Sequence, residues 1–284
     1  MKKVILKITI LIIFGFIFIN ADKRKDIFNL KNFEKTIGKI NDTLYASKFE
    51  VSNFQYRMFL KDLRQKTETE KYNIAIIDSA KWREMLPDDT TLFKYYHVSE
   101  KLHDHPVVNV SFEAALLFCE WLTEKYNVYP KRKFKKILFR LPTESEWKEA
   151  ARGTSVSSMF PWGGPSMRNS KTGFYMANFT DISQYQIYKD KETSEFKIKG
   201  LPLYLQLSNV LPTAPVFLYP PNEYGLHNMS GNVAEMISEK GKTKGGSWAS
   251  TGYYLQIDVE GENDGISEPS PMIGFRYFME IIEK

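Results

Sequence analysis

The sequence predicts an α+β fold in which regular secondary structure is sparse. Helical patterns with capping signals occur before residue 154, whereas glycine, proline, asparagine and aromatic residues crowd the chain after it. Aromatic residues make up 14% of the 284 residues, which favours a well-packed, loop-rich body over a disordered one. No fixed-period repeat or low-complexity tract divides the chain, so we expect one domain over residues 41–284.

Three segments begin as an extended stretch and turn into a helix. The stretch "LYASKFEVSNFQYRMFLKDL" becomes helical near Ser52, and Ser52 and Gln55 have the spacing of a capping box. The stretch "HPVVNVSFEAALLFCEWLTEKY" follows the same pattern. In "FRLPTESEWKEAARG", Thr143 and Glu146 form a second capping box, and Gly153 is a natural helix stop. We expect two or three helices in the first half, then a long irregular half that ends in a closing strand, "PMIGFRYFMEI".

The N-terminal segment predicts export. A basic end precedes an unbroken apolar run from Ile8 to Ile19. This run is shorter than the roughly 20 residues of a comfortable membrane span, and it fits a signal-peptide core with cleavage after Ala21. The basic "DKRK" that follows keeps an uncleaved anchor open as the alternative. We therefore predict a signal peptide or short N-terminal anchor over residues 1–21, a linker over residues 22–40, and a periplasmic or cell-envelope location.

The net charge and the cysteine content argue against two classes of function, nucleic-acid binding and cysteine-based catalysis. The net charge is +5, of which Lys2, Lys3 and Lys7 in the targeting segment supply three, so the remaining +2 does not predict a nucleic-acid partner. Contact with a membrane is expected only through the N-terminal segment, if that segment is uncleaved. The single cysteine, Cys119, lies on an apolar helical stripe. It is predicted to be a buried packing thiol rather than a nucleophile, and no internal disulfide is possible.

Eight short motifs occur in an order that resembles the formylglycine-generating enzyme family. They are "FEVSN", "HPVVNVSFEAALLFCEWL", "RLPTESEWKEAARG", "PWG", "AN", "YGLHNMSGNVAEM", "KGGSW" and "GFRYF". The resemblance covers roughly residues 40–280 and implies a compact, irregular fold related to C-type lectin folds. Members of the family oxidise a cysteine of sulfatases to formylglycine. A wider branch lacks this activity and includes domains of gliding-motility and type IX secretion proteins, variable binding proteins, and domains of sulfoxide synthases.

The oxidase chemistry is predicted to be absent. The resemblance implies two copper-binding cysteines after the "GGS" turn, because thiolates suit soft metals. In this sequence those positions fall at about Ser250 and Leu255. A protonated hydroxyl is a hard group, and a leucine side chain has no ligating atom. The prediction is therefore a catalytically inactive domain that binds no copper.

Calcium is the cofactor that the resemblance implies. The side chains of Asn228 and Glu235 and the main-chain oxygens of Gly231 and Val233 would hold a structural Ca²⁺. These are the hard oxygen ligands that Ca²⁺ prefers, and Gly231 lets the chain turn its carbonyls inward. The alternative is a tight turn followed by an apolar strand, with Glu235 exposed.

A second calcium site is a weaker expectation from the same resemblance. It would begin at Asn178 in "YMANFTD" and use the carbonyl of Phe179. Its acidic partner would fall near Ser208, which is not a carboxylate. Asp181 is a candidate substitute.

We expect mainly structural roles for the remaining polar residues. The segment "LHDHP" would place two imidazoles on one side of an extended strand, but structural or surface roles are expected for all four histidines, His97, His103, His105 and His227. Helix capping and buried charge pairing are expected for the polar residues that recur in the family, Arg140, Glu144, Glu146, Trp147 and Arg276. The acidic loop around Glu260, Glu262 and Asp264 is a cation-site alternative to an ordinary solvated loop.

These observations favour a calcium-stabilised, non-catalytic component of the bacterial cell envelope that binds a protein or a glycan. Composition and the "GNVAEM" motif suggest a link to gliding motility or type IX secretion, by analogy alone. An enzyme with other chemistry around Ser250, Tyr253 or Tyr254 is the alternative. A variable, lectin-like binding module with its variation in residues 249–275 is the third.

Overall fold

A four-stranded antiparallel sheet joins the two ends of the fold. The computed structural model describes residues 33–87, 89–155, 157–182, 186–198 and 211–284. The strand order is β1-β2-β9-β3. These strands are β1 (Ile37–Lys39), β2 (Leu44–Ser47), β3 (Lys136–Arg140) and β9 (Phe278–Glu283). The strand predicted to close the chain, β9, therefore lies between β2 and β3.

The domain begins earlier than the sequence predicted. Phe33 opens a 3-10 helix (Phe33–Thr36) that leads into β1, and its buried ring packs against Tyr126 and Phe139, with centroids 5.7 and 5.3 Å away. The predicted linker over residues 22–40 is therefore wrong for residues 33–40, because apolar side chains there belong to the core. Residues 22–32, like the predicted signal peptide or anchor, lie outside the described residues.

The first half carries more helices than the two or three expected. The helices are α1 (Asn53–Gln65), α2 (Thr69–Ala75), α3 (Ala80–Met85), α4 (Thr90–Tyr95), α5 (Phe112–Asn127) and α6 (Glu144–Arg152). The predicted helices are α1, α5 and α6. The unpredicted α2, α3 and α4 have only six or seven residues each, too few for a sustained helical period. Buried side chains such as Trp82 and Leu92 hold α3 and α4 in place.

Both predicted capping boxes are confirmed. The Ser52 hydroxyl accepts a hydrogen bond from the amide of Gln55, and the Gln55 side chain accepts one from the amide of Ser52. The same reciprocal pair joins Thr143 and Glu146 at the start of α6. Gly153 then ends α6 at φ 68°, a conformation that glycine tolerates best.

The second half is made of short strands in long connections. A hairpin pairs β4 (Ile187–Lys189) with β5 (Phe196–Ile198). A three-stranded sheet has the order β7-β6-β8, with β6 and β8 parallel. Its strands are β6 (Ala234–Met236), β7 (Thr243–Lys244) and β8 (Ile273–Gly274). The mixed helix-and-strand class is therefore confirmed.

The main core lies between α5 and the four-stranded sheet. Cys119 is buried there among aromatic and aliphatic side chains. Burial raises the pKa of its thiol to about 12, so the thiolate is not formed near neutral pH. The prediction of a buried packing thiol is confirmed. None of the helices in the described ranges is long and apolar enough to span a membrane.

Candidate functional site

Two consecutive glycines shape the turn that follows β7. Gly245 and Gly246 have φ angles of 87° and 66°, in the left-handed region that other residues rarely adopt. A Cβ on Gly245 would lie 2.7 Å from the carbonyl oxygen of Met229, so the approach of two backbone segments also requires glycine here. Beyond the glycines, Trp248 is buried, and its indole N–H donates a hydrogen bond to the carbonyl of Pro271.

Ser250 occupies the first predicted cysteine position and closes this turn. Its Oγ accepts a hydrogen bond from the amide of Ser247 at 2.8 Å and lies 3.2 Å from the Ser247 Oγ. The Ser250 amide donates in return to the carbonyl of Ser247 at 3.1 Å. Because Ser250 is fully buried, its hydroxyl stabilises the turn and does not face solvent.

Leu255 occupies the second predicted cysteine position and fills the space beside the turn. Its fully buried side chain packs in an apolar cluster that also contains Phe160 and Ala177, with Trp162, Met167 and Phe179 at the edge. A Cβ on Gly246 would be 3.0 Å from a Leu255 methyl group and 3.2 Å from the Ser250 Cβ. The two side chains therefore pack against the same glycine. We call the region formed by residues 245–255 the packed corner.

One part of the packed corner reaches solvent. Tyr253 is 60% exposed, and its ring makes an edge contact with Tyr254 at 5.2 Å. Phe174 is also exposed, in a neighbouring loop. Of the three residues named in the enzymatic alternative, Ser250 is therefore inaccessible, whereas Tyr253 reaches solvent.

The structure brings the two predicted calcium segments together. The amide of Asn232 donates a hydrogen bond to the carbonyl oxygen of Asn178 at 2.7 Å, and the Asn178 side-chain amide donates to Asn232 Oδ1 at 3.2 Å. A Cβ on Gly231, at φ 77°, would clash with the same Asn178 carbonyl. Glycine at position 231 is thus required by this close contact as well as by its backbone angle.

Asn228 has an atom that suits a hard cation. It is buried in the left-handed conformation at φ 52°. Its Nδ2 donates to Glu50 Oε2 at 2.8 Å and to the carbonyl of Val216 at 3.2 Å, while its Oδ1 is buried without a hydrogen-bond partner. An unsatisfied buried oxygen calls for a ligand or water, and an amide oxygen is a ligand that Ca²⁺ accepts.

Glu235 is buried, and the alternative of an exposed Glu235 is wrong. Arg276 Nη2 donates to Glu235 Oε1 at 2.7 Å, and Arg276 Nε lies 3.0 and 3.1 Å from the two carboxylate oxygens. Trp147 Nε1 donates to Oε2 at 2.8 Å. The carboxylate therefore already has charge-matched partners, and this predicted ligand fits a cation less well than Asn228 does. The structural roles predicted for these two residues are met here: Arg276 forms the ion pair with Glu235, and Trp147 donates a hydrogen bond to the same carboxylate.

Glu50 is the residue of this region that sequence reasoning missed. It is fully buried, and its two carboxyl oxygens accept hydrogen bonds from the side-chain amides of Asn228 and Asn232, at 2.8 and 2.9 Å. Burial raises its pKa to about 8, and the nearby charge of Glu235 adds to the rise, although Arg276 opposes it. The signal was a carboxylate inside the apolar context of "FEVSN". We call Glu50, Asn228, Asn232, Glu235 and Arg276 the buried polar cluster.

The second predicted calcium segment has other partners in this structure. The Asn178 side-chain amide also donates to the carbonyl of Pro212 at 2.8 Å. Asp181 accepts a hydrogen bond from the Tyr175 hydroxyl and lies 3.8 Å from Arg168. The ring of Phe179 packs edge-on against Tyr175, with centroids 5.4 Å apart. Ser208 lies outside the described residues.

The histidines lie in packed or hydrogen-bonded positions. The segment "LHDHP" is not an extended strand, because His103 directly follows a 3-10 helix (Glu100–Leu102) and pairs with Glu100 at 2.7 Å. His105 Nδ1 is 2.9 Å from Thr213 Oγ1, and His97 Nδ1 is 3.2 Å from Asn53 Oδ1. In the described ranges, no three histidine, cysteine or acidic side chains are grouped so that they could hold a metal ion.

The other charged residues support the fold. Arg140 donates to both carboxylate oxygens of Glu146 at 2.7 Å and to Glu280 at 2.8 Å, which ties α6 to β9. In the acidic loop, Asp264 turns inward. Its Oδ1 accepts from the amide of Thr243 at 2.9 Å, and its Oδ2 pairs with a lysine.

Comparison with known proteins identifies the family. The sulfatase-modifying factor enzyme 1-like domain, FGE-sulfatase, matches residues 9–281. The chain belongs to this family. It is 27% identical to the formylglycine-generating enzyme of Bos taurus over 70% of this chain and 49% of that one. It is 26% identical to the inactive Cα-formylglycine-generating enzyme 2 of Bos taurus over 72% of this chain and 64% of that one.

Solved structures are also similar to this chain. The crystal structure of CarF matches 84% of this chain and 86% of that one, with a TM-score of 0.49 and 22% identity. This chain spans about half the length of the Bos taurus and Mus musculus formylglycine-generating enzymes that it matches. The family thus includes relatives named as enzymes and relatives named as inactive.

Proposed function

We propose that this chain is a non-catalytic member of the FGE-sulfatase family. The observation that carries the proposal is the packed corner: the two positions at which thiolates are expected hold a buried serine, which closes a turn, and a leucine in an apolar cluster. Neither side chain supplies a soft metal ligand. Relatives named as inactive give the same role a precedent within the family.

The proposed role is that of a structural component, or of a protein- or glycan-binding component, of the bacterial cell envelope. Tyr253 in the packed corner and Phe174 in the loop that follows Met167, a neighbour of Gly252, are exposed aromatic side chains. They support recognition of a protein or glycan, since aromatic side chains supply much of the contact energy at binding surfaces. The N-terminal sequence supports export. The link to gliding motility or type IX secretion and the relationship to C-type lectin folds rest on resemblance.

We further propose that Ca²⁺ stabilises the segment from residue 228 to 235. The unpartnered Asn228 Oδ1 supports this. The main-chain oxygens of Gly231 and Val233 are the other expected ligands. The Arg276–Glu235 ion pair competes for the remaining ligand, so calcium binding at Glu235 requires that ion pair to rearrange. The bound ion would stiffen the segment that contacts Asn178.

A reconstitution assay tests the catalytic part of the proposal. The protein is loaded with copper(I) and incubated with oxygen and a cysteine-containing sulfatase peptide, and conversion to formylglycine is followed by mass spectrometry. We expect no conversion by the natural chain. An active formylglycine-generating enzyme is the positive control, and the Ser250→Cys/Leu255→Cys variant measures whether thiols alone restore copper binding. Turnover by the natural chain would overturn the proposal, as would stoichiometric copper or iron in the purified protein.

The binding part has a separate test. Envelope fractions are passed over the immobilised protein and over its Tyr253→Ala variant, with and without a calcium chelator, and bound proteins and glycans are identified. We expect one partner whose recovery falls in the variant and after calcium removal. Recovery that is unchanged by both treatments would contradict a calcium-organised surface at this position.

A further inference from the structure

A small polar cavity lies beside β7. Its volume is about 80 Å³, which exceeds the roughly 10–15 Å³ that one water molecule needs. It is lined by the start of α6, by β7 and the residue before it, by the residue after β6, and by the acidic loop. The lining residues are Glu144, Ile237, Lys242, Thr243, Lys244, Glu260, Gly261 and Asp264. The cavity therefore has room for several non-hydrogen atoms.

Thr243 supplies the first sign of a binding site. The residue is only 2% exposed, and its hydroxyl is buried without a hydrogen-bond partner. The Oγ1 atom faces Gly261, because a Cβ on that glycine would lie 2.7 Å from Oγ1 and 2.5 Å from Asp264 Oδ1. Thr243 and Gly261 both line the cavity, and the absence of a side chain at Gly261 avoids a clash with the hydroxyl. A buried hydroxyl without a partner is costly unless water or a ligand satisfies it.

Lys244 supplies the second sign. Its side chain is almost fully buried, although ammonium groups are rarely buried without a function or a strong partner. Its Nζ donates to the carbonyl of Val259 and lies 3.5 Å from Glu144 Oε1, a contact too long for a strong hydrogen bond. Glu144 is also closer to Lys148, at 2.7 Å. Lys244 therefore has hydrogen-bonding capacity left for a group in the cavity.

The mixed charges of the walls select the class of ligand. A simple cation would meet the ammonium groups of Lys242 and Lys244, and a simple anion would meet the carboxylates of Glu144, Glu260 and Asp264. Asp264 is already engaged by the Thr243 amide and by Lys242. A molecule that carries both charges finds Thr243 and Lys244 for its anionic end and exposed Glu260 for its cationic end.

We propose that this cavity binds a small zwitterion of the amino-acid class, with its carboxylate on Thr243 Oγ1 and Lys244 Nζ and its ammonium on Glu260. Binding in this cavity requires neither bound calcium nor a side chain of the packed corner. Binding of glycine is the simplest probe. Saturable shifts of the backbone amide resonances of residues 243, 244 and 261 are expected in two-dimensional NMR, with acetate and methylamine binding at least about tenfold more weakly, since each lacks one charged contact.

Two isosteric variants make the test specific. Thr243→Val removes a hydroxyl that has no protein partner, so the free energy of unfolding should stay the same or rise, while the affinity for glycine should fall about tenfold. Glu260→Gln should weaken glycine and methylamine but not acetate. Thr193→Val, in the exposed β4–β5 turn, is the control and should leave the affinity for glycine unchanged.

The outcomes separate the proposal from its alternatives. No saturable shift at these residues with glycine overturns the site. If acetate binds as tightly as glycine, the cavity is an anion site and the proposal of a zwitterion site is wrong. Full glycine affinity in Thr243→Val, with normal folding, contradicts the role given to its hydroxyl.

Discussion

Ser250 and Leu255 of the packed corner and the side chains of the buried polar cluster are all closed to solvent, yet the two regions are filled in opposite ways. In the packed corner, Leu255 packs among apolar groups where the family resemblance places a thiolate. In the buried polar cluster, Glu235 pairs with the guanidinium of Arg276, and Glu50 accepts hydrogen bonds from the side-chain amides of Asn228 and Asn232. An apolar group can replace a metal ligand at little cost to folding, because nothing else depends on that ligand. Mutually paired charges cannot be replaced singly, because each one left behind is uncompensated.

The largest expected loss of stability comes from removing the one positive charge of the buried polar cluster, the guanidinium of Arg276. Arg276→Met leaves the Glu235 carboxylate buried without its cation, and the free energy of unfolding should fall by about 3–5 kcal/mol. Urea unfolding at pH 7 measures it. Arg140→Met is the matched control, because the Arg140 side chain is 26% exposed whereas that of Arg276 is 0% exposed. Equal losses in the two variants would mean that burial does not set the cost.

This contrast also shows what the sequence could predict. Capping boxes and the burial of Cys119 follow from local spacing, and both were predicted correctly. The partner of Arg276 did not follow, because Glu235 is 41 residues away in the chain and Trp147 is 88 residues from Glu235. Glu50 was missed for the same reason: its amide partners lie 178 and 182 residues away.

The errors on the fold have a local cause. Phe33 precedes a stretch that reads as polar, so one buried aromatic ring was not enough to distinguish the edge of the domain from a linker. The short helices α2, α3 and α4 have fewer than two full turns. Their positions are set by tertiary contacts, such as the packing of Trp82 on Trp248 at 6.3 Å, and not by a periodic pattern.

The next effect tests whether the packed corner is held by apolar packing. Leu255→Ala should lower the free energy of unfolding by about 2–5 kcal/mol, because it opens a cavity in a fully buried cluster. Leu218→Ala, at an exposed position, should change it by less than about 0.5 kcal/mol. Thermal and urea unfolding of both variants measure the difference. A small effect at Leu255 would indicate that the corner relaxes, and the case for a rigidly filled site would fail.

Calcium binding should have an intermediate effect on the free energy of unfolding. At a concentration one hundred times its Kd, the ion should stabilise the natural chain by about 2.7 kcal/mol. Glu235→Ala should abolish this increment and should also destabilise the calcium-free protein, because Arg276 then loses its partner. The decisive quantity is therefore the shift in Tm between calcium and chelator, not the Tm itself. A shift retained in Glu235→Ala would remove this residue from the ligand set, and no shift in the natural chain would refute the site.

The smallest expected effect lies outside both regions, at two buried neutral histidines. Burial lowers the pKa of His105 to about 4 and that of His97 to about 3, and their hydrogen-bond partners described above are uncharged. In the unfolded chain both titrate near 6.5, so the unfolded state binds more protons as the pH falls below about 6.5. Their contribution to stability is therefore complete above that pH and is lost progressively as the pH falls towards 4 and 3.

His105→Asn isolates this contribution, because an asparagine side chain can keep the hydrogen bond to Thr213 but does not titrate. Between pH 7.5 and pH 5 the natural chain should lose about 2 kcal/mol more than the variant. The difference between the two proteins is the useful quantity, because the raised pKa of Glu50 acts in the opposite direction, with stability lost as the pH rises towards 8. Urea unfolding at the two pH values measures it. Parallel pH profiles would show that His105 has the same pKa in the folded and unfolded states, which would contradict its burial as a neutral ring.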